Sequence, residues 1–122
     1  MLLVTTSYLV FRIYRIERMN MNSDNKPKFA LGQVVATQGA LTVLKESNQS
    51  ALLFLQKHQS GDWGSELCGD DKKLNDEAVS HEGDSDQQQR VLSAYRTAKN
   101  EKLWIITEWD RSVTTILLPE EY

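Results

Sequence analysis

Apolar residues recur with two different periods along this chain, and the period changes near Arg90. Upstream, Ala40, Leu41 and Leu44, then Ala51, Leu52, Phe54 and Leu55, fall at helical spacing. Downstream, Val91, Ser93 and Tyr95, then Leu103, Ile105, Thr107 and Trp109, then Val113, Thr115 and Leu117 alternate with their neighbours at strand spacing. The first region predicts a helix from about Thr37 to about Ser47, capped by Thr37 and weakened by Gly39 in its first turn. Ser50 caps a second helix whose last turn holds Lys57 and His58, where the helix dipole favours positive charge, and Gly61 and Gly64 stop it. A third helix, capped by Asp70 or Asp71 and running through KKLNDEAV, carries a narrow apolar stripe of Leu74, Ala78 and Val79. Ahead of these, Gln33 to Ala36 reads as an edge or first strand after Gly32.

The second region predicts three strands, joined by a loop at Thr97 to Glu101 and by a tight turn at Asp110 and Arg111. His81 to Gln89, HEGDSDQQQ, has no buried periodicity and reads as a mobile loop. The expected fold class is α+β: two to three N-terminal helices packed on a C-terminal three-stranded antiparallel meander, with one extra edge strand as an option. Residues 1-28 read as an N-terminal extension and linker, and residues 29-122 as a single α+β domain.

Composition adds a charge asymmetry to this picture. The formal net charge is -3, yet residues 1 to 22 hold Arg12, Arg15 and Arg18 against Glu17, which leaves the body acidic. Glu66 to Asp86 alone holds eight acids against Lys72 and Lys73, the opposite of the clustered Lys and Arg that drive phosphate-backbone binding. Nucleic acid is therefore a disfavoured partner and a protein the favoured one; the oligomeric state stays open. The one cysteine, Cys68, excludes an intramolecular disulfide and lacks the companion thiols of a structural zinc site, which favours a reducing, cytoplasmic location. No metal is expected, because neither an i, i+4 His pair nor a DxDxDG loop occurs, and no cofactor motif is present.

The apolar opening, MLLVTTSYLVF, is too short for a membrane span, and its arginines follow the apolar run where a secretory signal would place them before it. It reads either as an added strand or amphipathic segment, with Leu9, Phe11, Ile13 and Tyr14 beside the arginines, or as an upstream extension of a protein that starts at Met19 or Met21. The second reading is preferred.

Two polar patches could carry chemistry. In HQSGDWG, His58 to Gly64, a His base could be oriented by Asp62 while Trp63 stacks a ring. The structural reading of the same residues makes Gly61 a helix stop, Asp62 a turn residue, Trp63 a core plug and His58 a dipole partner, and it is favoured. In LWIITEWDRSVTTILLPEEY, Arg111 could clamp a phosphate beside Glu108 as base, whereas the structural reading makes Glu108, Asp110 and Arg111 a charged turn that keeps a sticky hairpin soluble. The candidate catalytic set is thus His58, Glu108 and Arg111, and the candidate binding set Asp62, Trp63 and Asp110.

With the phrases FALGQVVATQGAL, FLQKHQSGDWG and LWIITEWDRSVTTILLPEEY, the chain resembles a family of short bacterial proteins found on plasmids and integrative elements, labelled plasmid-related protein or type I restriction endonuclease subunit M. The resemblance covers most of residues 29 to 122 and implies a mobile-element setting linked to restriction or defence. It does not imply a methyltransferase subunit, because the chain has neither a Gly-rich cofactor loop nor an NPPF-like base-binding motif. More loosely, helices followed by a meander look like the layout of barnase-like ribonucleases, although the last two strands lack a His. The leading expectation is a non-enzymatic accessory protein acting through protein contacts. Its alternatives are a metal-independent ribonuclease and an acidic nucleic-acid mimic with an anti-restriction role.

Overall fold

The computed structural model describes residues 8–10 and 26–122. Its elements are strand β1 (Tyr8–Val10), β2 (Gln33–Thr37), α1 (Gln38–Glu46), α2 (Ala51–Ser60), α3 (Gly69–Ser80), β3 (Val91–Arg96), β4 (Lys102–Thr107), β5 (Val113–Leu117) and a final 3-10 turn, Pro119–Glu121. The fold is α+β. The segment containing Phe11, Ile13 and Tyr14 and the polar linker up to residue 25 lie outside the described residues.

The sheet is mixed, with strand order β1-β2-β5-β4-β3. The three C-terminal strands pair antiparallel in sequence order, as alternation and two short loops require. β2 then adds to β5 in parallel, Val34 opposite Thr114 and Ala36 opposite Ile116, so the sheet is more than the expected meander. Nor does β2 lie at the edge, since β1 pairs antiparallel along its outer side. Parallel pairing needs a crossover, which α1 to α3 together with the meander supply.

Local chemistry sets the helix ends. Thr37 is both the last residue of β2 and the N-cap of α1, so strand passes into helix without a loop; its hydroxyl accepts from the Ala40 amide at 3.1 Å. The same hydroxyl donates to Glu121 Oε1 at 2.5 Å, which also accepts from the Leu118 amide. Gly39 explains itself here: a Cβ at that position would stand 2.6 Å from Glu121 Oε2, so glycine makes room for a carboxylate at the positive end of α1. Ser50 caps α2 through the Leu52 amide, and Gly61 ends it in the left-handed region at φ 93°. α3 departs from expectation. Its N-cap is Cys68, which makes no side-chain cap bond, while Asp70 and Asp71 occupy the first turn, where their charge suits the helix dipole.

The core lies between the helices and one sheet face, where Phe54, Leu55, Leu103, Ile105 and Ile116 are almost wholly buried. Alternation along the strands brings Ser93, Thr107 and Thr114 to this same face, beneath α2.

Candidate functional site

The two polar patches meet through a residue that neither contains. The Phe29 ring stacks on Trp63 with centroids 6.3 Å apart, and Arg111 places its guanidinium carbon 5.4 Å from the centre of the same ring. His58 sets its ring edgewise against both aromatics, at 5.1 Å from Phe29 and 6.1 Å from Trp63. The juxtaposition is real, but it is built into the core. His58 is fully buried, and Trp63 is buried with its indole N–H donating to Asp76 Oδ1.

Both nitrogens of His58 are engaged. Nδ1 lies 2.6 Å from the Ser93 hydroxyl and Nε2 lies 2.9 Å from that of Thr107; Thr107 lies 2.7 Å from the Thr114 hydroxyl, which donates to the Leu31 carbonyl. A carbonyl only accepts, so the donors can be read back along this chain. Thr114 spends its proton on Leu31, Thr107 spends its own on Thr114, and Nε2 must therefore carry a hydrogen for Thr107. Nδ1 is left to accept from Ser93. The neutral Nε2–H tautomer satisfies every member, and burial, reinforced by the nearby Arg111 charge, lowers the His58 pKa from 6.5 to about 3. No nitrogen of His58 is left to take a proton from a substrate.

This depressed pKa makes a testable link to stability. Above pH 6.5 the imidazole is neutral folded and unfolded; between 6.5 and about 3 only the unfolded chain binds the extra proton. Acidification should then subtract up to about 1.4 kcal/mol of stability per pH unit through this residue. Urea unfolding at pH 7.5 and pH 5, compared between wild type and His58→Gln, isolates the contribution, because glutamine can take both hydroxyl contacts without titrating. The variant should be weaker at the higher pH and show a flatter acid dependence; equal slopes would refute the assignment.

Arg111 is equally committed. Its guanidinium grips Glu82 through Nη2 at 2.8 Å and Nε at 3.1 Å, and Nη1 donates to the carbonyls of Gln89, Glu108 and Trp109. The expected two-residue turn at Asp110 and Arg111 is instead a longer loop between Thr107 and Val113, closed by the Arg111 amide on the Glu108 carbonyl, with Arg111 in the left-handed region at φ 61°. The other hairpin places Asn100 in that conformation, at φ 68°. Asparagine is at ease there and arginine is not, so tertiary contacts hold Arg111 in place. Asp110 is exposed; its Oδ1 accepts from the Ser112 hydroxyl and amide, which hold its carboxyl below the usual range. Glu108 is half-buried, its backbone pairing with Val113. Asp62 turns the chain, its carboxylate accepting from the Gly64 amide and its carbonyl from the Tyr95 hydroxyl at 2.6 Å. Burial raises the Tyr95 pKa above its ordinary value.

Arg111 also decides the fate of residues 81–89. Glu82 and the Gln89 carbonyl are fastened to it, and the Gln88 side-chain amide donates to the Trp109 carbonyl at 2.7 Å. The expected mobile loop is thereby pinned to the hairpin tip. Between this loop, α3 and β3 an open groove of about 470 Å³ remains, floored by Leu74, Ala78 and Leu92 and rimmed by Asp71, Glu77 and Asp86, with His81 and Arg90 beside them. Leu74 is 61% exposed, and Trp109, at the hairpin tip holding the loop, is 52% exposed. These two residues entered the sequence reading only as members of an apolar stripe and a strand; an unpaired large side chain on a helix face otherwise rich in acids was the available cue.

Among the described residues, no group of three or more His, Cys, Asp or Glu side chains is placed to hold a metal ion, and no helix is long and apolar enough to cross a membrane. Compared with protein-family models, curated proteins and solved structures, the chain finds no match.

Proposed function

We propose that this chain is a small cytoplasmic accessory protein of a mobile genetic element, linked to restriction or defence, that works by docking a protein partner on the face formed by α3, residues 81–90 and the Trp109 hairpin tip. The observation carrying this reading is the exposed Leu74 on an open groove whose loop wall is fastened by Arg111, with Trp109 exposed at the hairpin tip that holds the same loop. Large apolar groups on a preformed concavity are the usual energetic centre of a protein contact, and tryptophan is prominent among such anchors. The polar residues that might have done chemistry support the same reading by being otherwise occupied: His58 serves the core and Arg111 serves the loop. The phrases on which the mobile-element setting rests form β2 with α1, α2 with its turn, and β4 with β5; of the docking face they contribute the Trp109 hairpin tip.

Affinity capture from the native host should recover a defined protein with the wild-type chain and lose it with Leu74→Arg/Trp109→Ala, both exposed positions whose change leaves the core intact. Recovery that is identical with the variant, or recovery of RNA alone, would overturn the reading.

A further inference from the structure

Resting on that docking reading, we infer that the groove receives a cationic amphipathic helix of the partner, seated by side chains rather than by strand addition. An extended peptide would bind by adding to the open edge of β3. That edge is closed. The Asn75 side-chain amide takes both backbone groups of Leu92, donating to its carbonyl at 2.6 Å and accepting from its amide at 3.1 Å, as a neighbouring strand would. Two residues on, the Ala94 amide donates to the Trp63 carbonyl at 2.9 Å. With the backbone spoken for, recognition falls to the apolar floor of Leu74, Ala78 and Leu92 and to the charges around it.

Those charges select the occupant. Asp71, Glu77 and Asp86 on the rim outnumber Arg90. Glu82 and Asp76 are not free for a partner, since Arg111 and the Trp63 indole hold them. A nucleic acid would meet repulsion here, and a second copy of this chain would bring the same acidic rim against itself. A helix with leucine-like residues at i, i+3 and i+4 and Lys or Arg on its flanks satisfies floor and rim together.

The test uses two synthetic helices locked by side-chain lactams, with identical leucine anchors and either lysine or glutamate on the flanks, titrated calorimetrically against the full chain. The lysine helix should bind at least about tenfold more tightly than the glutamate helix and weaken as salt rises from roughly 0.05 to 0.5 M. Asp71→Lys/Glu77→Lys/Asp86→Lys should invert the preference, and Leu74→Arg should weaken the lysine helix by about tenfold. Equal binding of both helices, failure of the lysine helix to bind, or insensitivity of the lysine helix to the triple change would overturn the inference. So would concentration-dependent self-association abolished by Leu74→Arg, which would make a second copy the occupant. If host capture still depends on Leu74 and Trp109 while the helices show no charge preference, the docking reading stands and the cationic partner falls.

Discussion

Arg111→Ala is expected to destabilise the fold by roughly 3 kcal/mol, the low end of what removing one partner of a buried ion pair costs. The change deletes the forked contact to Glu82, three bonds to carbonyls and the cation over Phe29. Part of the loss is recovered because Glu82 and the loop carbonyls lie where water can reach them once the guanidinium is gone. Arg111→Gly separates backbone from side chain. Glycine accepts the left-handed φ of 61° without the steric penalty alanine meets, so it should recover about 1 kcal/mol relative to alanine while losing the same contacts. Arg111→Lys retains a charge but not the fork, and should fall between wild type and alanine. Denaturant midpoints rank the three variants. Hydrogen exchange supplies the second readout: amides of residues 82–90 should lose protection selectively, because this loop depends on Arg111 in a way that the β4–β5 pairing does not. Midpoints for alanine and glycine within about 0.5 kcal/mol of wild type would show that the network contributes little.

The elements that could be read from sequence are those decided by neighbours in the chain. Thr37, Ser50 and Gly61 cap or stop helices through bonds that span a few residues, and period-two alternation carries the meander. What escaped was decided by residues far apart. Parallel pairing of β2 with β5 joins positions about eighty residues apart, and no periodicity announces it. Asn75 lies outside the apolar stripe of α3, and nothing local marks it, yet it stands in for a missing strand. His58 was placed at a helix end as a dipole partner. It is buried against two inward hydroxyls, Ser93 and Thr107, the second backed by Thr114; the alternation of Ser93 and Thr107 was visible while their common partner was not.

The same division applies to the candidate site. His58, Trp63 and Arg111 were singled out because their residue types are chemically capable, and they do converge, but on Phe29, which carried no such flag. Convergence without exposure is a packing arrangement. The groove arose instead from Leu74 and from a loop that looked unstructured until Arg111 was seen to hold it. For His58, Trp63 and Arg111, reactive residue type thus marks packing rather than an open site.

The Gly-Asp-Trp-Gly turn is more elaborate than a helix stop requires because it also seals the sheet, and Gly64→Ala should expose this. A Cβ on Gly64 would stand 1.9 Å from the Ala94 carbonyl oxygen and 2.9 Å from Tyr95 Cδ1. The first obstacle is backbone in a paired strand, so the turn itself must move. Moving it strains the Trp63 carbonyl bond to Ala94, the Tyr95 hydroxyl bond to Asp62 and the seat of the Trp63 ring. Gly83 supplies the control. Its φ of 93° nearly equals the 94° of Gly64, yet a Cβ there meets nothing within 4 Å. Gly83→Ala should therefore cost only the conformational penalty, about 1 kcal/mol, whereas Gly64→Ala adds an overpacking cost of roughly 1–3 kcal/mol or prevents folding. Thermal and urea unfolding of the two variants side by side decides the matter. Should Gly64→Ala fail to fold, Gly64→Ala paired with Trp63→Leu tests the same point by freeing the turn to retreat, and partial rescue is expected. Similar losses for Gly64→Ala and Gly83→Ala would mean that φ alone explains the glycine and that the turn does not guard the β3 edge.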